Sequence, residues 1–149
     1  LVCLDTSVLI RCLATDEQTP AAVRLLETAV RDGADLVAPA FAWAEVASVL
    51  RKKLRAGLLQ PDEAHALWTA FLDLPIAYLD TRPLRERAWV LAEQYALPTL
   101  YDAAFLACTE LAPAPPTAER EFWTADAVLV QQLGPQSPGY VRQLGAPTL

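Results

Sequence analysis

Short apolar runs alternate along this chain with longer stretches in which apolar residues recur every three or four positions. The first kind of pattern predicts strands buried on both faces, the second amphipathic helices. Val2-Cys3-Leu4 is the first short run. It is followed by Asp5-Thr6-Ser7, side chains suited to capping a helix, and a short helix over 8–14. A helix over 20–31 starts at Pro20, carries Val23, Leu25, Leu26 and Val30 on one broad side and ends at Gly33. Leu36-Val37-Ala38 is a second strand, closed by Pro39. Helices over 41–56 and 61–74 follow, the latter with Ala64, Leu67, Trp68, Phe71 and Leu72 inward and with Asp62 and His65 facing water. A strand over 75–79 leads, through a cap at Asp80 or Thr81, to a helix over 83–95 that buries Leu84, Ala88, Leu91 and Ala92.

The second half repeats this alternation. Leu97 to Asp102 connects into a helix that runs to Leu111, with Asp102 at its N-terminus. The Pro-rich stretch 112–120 cannot continue that helix and reads as a surface loop. Glu121-Phe122-Trp123-Thr124 is a strand, 127–133 a helix, 134–139 a turn and 140–144 an edge strand, while 145–149 reads as a loose tail. No internal repeat is present. Strands that alternate with helices predict an α/β fold: one domain over 1–149, with a mostly parallel central sheet of about five strands flanked by helices.

Composition narrows the function. Hydrophobic residues make up 54% of the 149 and charged residues 20%, enough for a folded core. No apolar run is long enough to span a bilayer, and the opening strand has no basic region before it, so neither a membrane segment nor a signal peptide is expected. Cys3, Cys12 and Cys108 form no CxxC pair and read as small buried hydrophobes of a reducing compartment. His65 is the only histidine, which excludes acid–base catalysis by two histidines and disfavours a zinc site. The net charge of −6 argues against nucleic-acid binding driven by overall charge, but not against a nuclease whose acidic site holds cations.

The acidic positions carry the chemistry. Asp5 and Asp126 fall at the carboxyl ends of strands, where open parallel sheets gather ligands. Each also fits as a helix cap. Asp102, at a helix start, either caps it or projects toward the same end of the sheet. Glu45 shares the apolar stripe of Phe41, Ala42 and Val49, and a carboxylate there is costly unless paired or bound to a cation. If the four converge, their repulsion calls for a hard divalent ion, Mg²⁺ or Mn²⁺. Thr6, Ser7 and Thr124 offer supporting hydroxyls.

Taken together, DTSVLI at 5–10, PAFAWAEVASVLRKK at 39–53, YDAAFLA at 101–107 and TAD at 124–126 resemble the PIN domain, and in particular the VapC-type toxins of bacterial toxin–antitoxin pairs. Each motif is weak alone; the ordered set is not. The resemblance spans nearly the whole chain, with a longer Pro-rich loop than the family pattern. It implies a cytoplasmic, metal-dependent endoribonuclease with Asp5, Glu45, Asp102 and Asp126 as metal-binding and catalytic positions and Thr124 as the polar residue of the last motif. It also implies an RNA substrate, a small antitoxin partner and a homodimer. Arg51, Lys52, Lys53 and Arg55 are then candidates for RNA or antitoxin contact, against a solvated helix C-terminus. Arg82, Arg85 and Arg87 read first as a solvated helix face. Trp43, Trp68, Trp89 and Trp123 either stack on bases or serve the core or a dimer interface.

Other readings fit less well. A phosphatase or dehalogenase with an Asp nucleophile would want a second Asp at position 7, which is Ser. A receiver domain needs a late lysine, and the only lysines are Lys52 and Lys53. A PIN-like interaction module, or an RNA-processing nuclease outside toxin–antitoxin systems, remains as the alternative function.

Overall fold

The computed structural model describes residues 1–145; the last four residues of the expected tail lie outside the described residues. Within them run five strands and seven α-helices. In chain order these are β1 (Val2–Leu4), α1 (Thr6–Leu13), α2 (Pro20–Arg31), β2 (Leu36–Pro39), α3 (Ala42–Arg55), α4 (Pro61–Leu72), β3 (Ile76–Leu79), α5 (Arg82–Gln94), α6 (Leu100–Leu111), β4 (Glu121–Thr124), α7 (Ala127–Leu133) and β5 (Val141–Gln143). The sheet order is β3-β2-β1-β4-β5. Every pairing is parallel, so the sheet is wholly and not mostly parallel.

The period of two along β1 builds two cores. Val2 and Leu4 point to one face, where they join Val8, Leu9, Val46, Leu50 and Phe71 beneath α1 to α4. Cys3 points to the other, among Leu84, Leu91, Phe105, Leu106 and Phe122 beneath α5 and α6. All three cysteines are free and buried, as small apolar side chains. Because β1 is central, its carboxyl end opens between β2 and β4, at the point where the strand order reverses direction. That is where an open α/β sheet leaves a crevice.

Helix ends explain several boundaries. The helix α1 begins at Thr6 and not at Val8, because the Asp5 side chain accepts the Val8 N–H at 3.0 Å and so recruits Thr6 and Ser7 into the first turn. Thr81 caps α5, and Asp80 is drawn instead onto Arg85 by two 2.8 Å bonds. Gly33 and Gly57, with φ of +67° and +73°, end α2 and α3 in a conformation that costs other residues more. Two expected core positions are exposed: Val30, where Ala22 and Ala29 take the inward face of α2, and Leu72, at the last turn of α4.

Lys53 departs from the expected solvated basic cluster. Its side chain is only 7% exposed, and its ammonium group bonds Asp16 and Glu17, each at 2.5 Å. Burial pulls its pKa down, but the bonds to the two carboxylates outweigh that and raise it above the usual lysine range. The pairs fasten the 14–19 turn to α3. Lys53→Met should free both acids to hydrate in place, costing about 1 kcal/mol in chemical denaturation, since both partners are partly exposed. An unchanged denaturation midpoint would show that the turn is held by other contacts. Arg82, Arg85 and Arg87 likewise find partners in the chain, on Glu86, Asp80 and Glu110.

Candidate active site

Asp5, Glu45, Asp102 and Asp126 all line one cleft of about 350 Å³ at the carboxyl ends of the strands. Four helices deliver them. Asp5 and Asp126 are the N-caps of α1 and α7, and Glu45 and Asp102 sit in the first turns of α3 and α6. Each helix N-terminus carries a partial positive charge that lowers the cost of holding a carboxylate there. The capping and site readings of Asp5 are therefore both met by one side chain. Asp102 is not a cap; Thr99 holds that position.

Asp5 is the most enclosed of the four, at 6% exposure. Its burial raises the carboxyl pKa, while hydrogen bonds from the Ser7 and Thr124 hydroxyls and from backbone N–H groups pull it back. Ser7 donates to Asp5 Oδ1 at 2.5 Å and accepts from the Ala125 N–H at 2.9 Å, which ties β1 to the loop that presents Asp126. Thr124 is fully buried behind Asp5 and accepts the Asp126 N–H at 2.9 Å. It supports two carboxylates without itself lining the cleft.

The other carboxylates feel one another. Asp102 is pushed up to about 6, by burial first and then by the negative charges of Asp5, Asp126 and Glu45. Glu45 is raised by burial and by Asp5, and lowered by the Thr6 hydroxyl that donates to its Oε2 at 2.8 Å. Asp126 is exposed and spends its Oδ1 on the Val128 and Leu129 N–H groups. Such mutual repulsion favours a cation or a proton in the cleft.

Every donor is a carboxylate oxygen, the set that hard divalent ions take. Among the described residues no group of three or more His, Cys, Asp or Glu side chains is drawn close enough to hold a metal ion. The donor chemistry alone, carboxylates with no His or Cys in the lining, suits a hard ion that keeps part of its water and not zinc.

Two lining residues escape a reading of motifs. Arg11 and Glu17 border the same cleft. Arg11 follows Ser7 by one helical turn, and that spacing was the available signal. Glu17 arrives on a turn, where periodicity says nothing. Of the four tryptophans, Trp43 and Trp89 are at least half exposed, so they do not belong to the core.

No helix of the described residues is long and apolar enough to cross a membrane. Among curated proteins, none matches the chain. The family model of the PIN domain matches residues 2–115. That stretch contains Asp5, Glu45 and Asp102 and stops before Thr124 and Asp126. It exceeds half of the 149 residues, and the chain belongs to the PIN domain family, whose members are in general metal-dependent nucleases.

Proposed function

We propose that this protein is a cytoplasmic endoribonuclease dependent on Mg²⁺ or Mn²⁺, acting as the toxin of a toxin–antitoxin pair. The observation that carries the reading is the cleft itself: four carboxylates from four helix starts, three of them with raised pKa. Buried carboxylates that repel one another are a stability cost, and a cation-requiring activity gives them a use.

Asp5 and Asp102 would be the main ligands, with Glu45 as a further ligand or as the group that orients water, and Asp126 acting through water. A bound divalent ion supplies charge for the scissile phosphate and acidifies an attacking water. The chain's own residues fix the geometry. Ser7 and Thr124 aim Asp5 and favour its charged form against the effect of burial, and Thr6 leaves Glu45 one oxygen for water or metal. Attack of water on phosphorus with loss of the 3′ oxygen would leave a 5′-phosphate and a 3′-hydroxyl. A small antitoxin and a second copy of the chain are the proposed protein partners, and three free buried cysteines suit a reducing compartment.

The test is cleavage of a mixed pool of structured RNAs with Mn²⁺ or Mg²⁺, with EDTA as control. Metal-dependent cutting with 5′-phosphate ends is expected. A protein that binds neither ion and cuts nothing would instead be an interaction module.

A further inference from the structure

We propose that Arg11 grips the phosphate of the RNA strand at the point of cleavage, a role that rests on the nuclease reading above. Five acidic side chains line the cleft: Asp5, Glu17, Glu45, Asp102 and Asp126. Arg11 is the one basic side chain among the lining residues. Glu17 already shares Lys53 with Asp16. Among the described residues, Arg11 has no carboxylate within 4 Å, although most arginines elsewhere in the fold have found a partner.

An arginine beside an acidic cleft would ordinarily collapse onto a carboxylate. Arg11 does not; it stands on α1 one turn beyond Ser7, whose hydroxyl donates to Asp5. Its five N–H donors therefore remain available to an incoming group. The group that suits both the fork and the site is a phosphodiester, whose two non-bridging oxygens accept two parallel bonds from arginine. Phosphate is also the one anion that the proposed reaction must bring into this acidic cleft. Arg11 would add positive charge to that of a bound divalent ion against the repulsion that the carboxylates impose on a phosphate. Because the contact is to phosphate, it reads no base and leaves sequence preference to other residues.

The experiment measures kcat/KM for RNA cleavage by the wild type, Arg11→Gln and Arg11→Lys in Mn²⁺, with the Mn²⁺ affinity and melting temperature of each. Arg11→Gln should lose roughly 10- to 100-fold in kcat/KM. Its Mn²⁺ affinity should rise, since a repelling cation has left the cleft. Arg11→Lys should recover part of the rate, keeping the charge without the fork. Cleavage by Arg11→Gln at the wild-type rate would overturn the proposal while leaving the nuclease reading intact. A loss accompanied by weaker Mn²⁺ binding or a lowered melting temperature would assign Arg11 a structural role instead. A wild type that binds Mn²⁺ but cuts no RNA would remove the nuclease reading, and Arg11 with it.

Discussion

Asp5→Asn is expected to lower RNA cleavage by on the order of 10³-fold with no loss of thermal stability. Those two outcomes separate because Asp5 has two jobs. Its Oδ1 accepts the Val8 N–H, and asparagine is as good an N-cap as aspartate. Its charge, held at 6% exposure, is the part that costs folding energy and the part that a cation needs. Asparagine keeps the first and removes the second, so the melting temperature should stay level or rise. Asp5→Ala makes the contrast, losing the cap as well at a cost of about 1 kcal/mol. Cleavage rates in Mn²⁺ beside thermal melts decide it; an Asn variant that still cuts normally would take Asp5 out of the mechanism.

The metal-free protein should be more stable at pH 5 than at pH 7.5. Asp102 titrates near 6 in the folded chain, against an ordinary value of 3.8, because burial and then Asp5, Asp126 and Glu45 disfavour its charge. The folded state thus holds a proton that the unfolded state releases. Stability from that proton is full below about pH 4 and drains away as pH rises through about 6. The loss is about 2 kcal/mol once solvent screening of this partly exposed group is discounted. Burial also raises Asp5 and Glu45, so both add in the same direction. Asp102→Asn should flatten the profile, and saturating Mn²⁺ should restore stability at pH 7.5 by binding the native state alone. Melts in EDTA and in Mn²⁺ at the two pH values provide the check. An EDTA profile that is flat between them would mean that the carboxylates do not sense one another.

Much of the architecture was legible because the chain obeys local rules. Pro20, Gly33, Pro61 and Gly57 sit at helix ends, and the short runs around Cys3, Val37 and Phe122 became interior strands. The order of those strands was not legible, since period and propensity say nothing about which neighbour a buried strand takes. Lys53 shows the limit of reading charge in runs. Within Arg51 to Arg55 it looks like its neighbours, but its helical phase, one turn beyond Val49 and Leu50, turns it inward onto Asp16 and Glu17. The carboxylates could be named one by one, Asp5 and Asp126 from strand ends, Asp102 from a helix start and Glu45 from an apolar stripe. That they share a cleft depends on β1 lying beside both β2 and β4, a fact of tertiary pairing. Arg11 was hidden for a different reason: a lone arginine on a short amphipathic helix has no motif.

The placement of β1 has a consequence for synthesis. Its carboxyl end carries Asp5, yet one of its two neighbours, β4, comprises Glu121–Thr124, and Asp126 follows directly. In a nascent chain Asp5 is made some 120 residues before Asp126. Until then the central strand lacks a partner along one edge, and Ser7 has no Ala125 N–H to engage. On the proposed activity, the carboxylate cleft stays incomplete until β4 and Asp126 have been made. On that same proposal, a product ending in the Pro-rich loop would lack β4 and Asp126 and would not cut RNA.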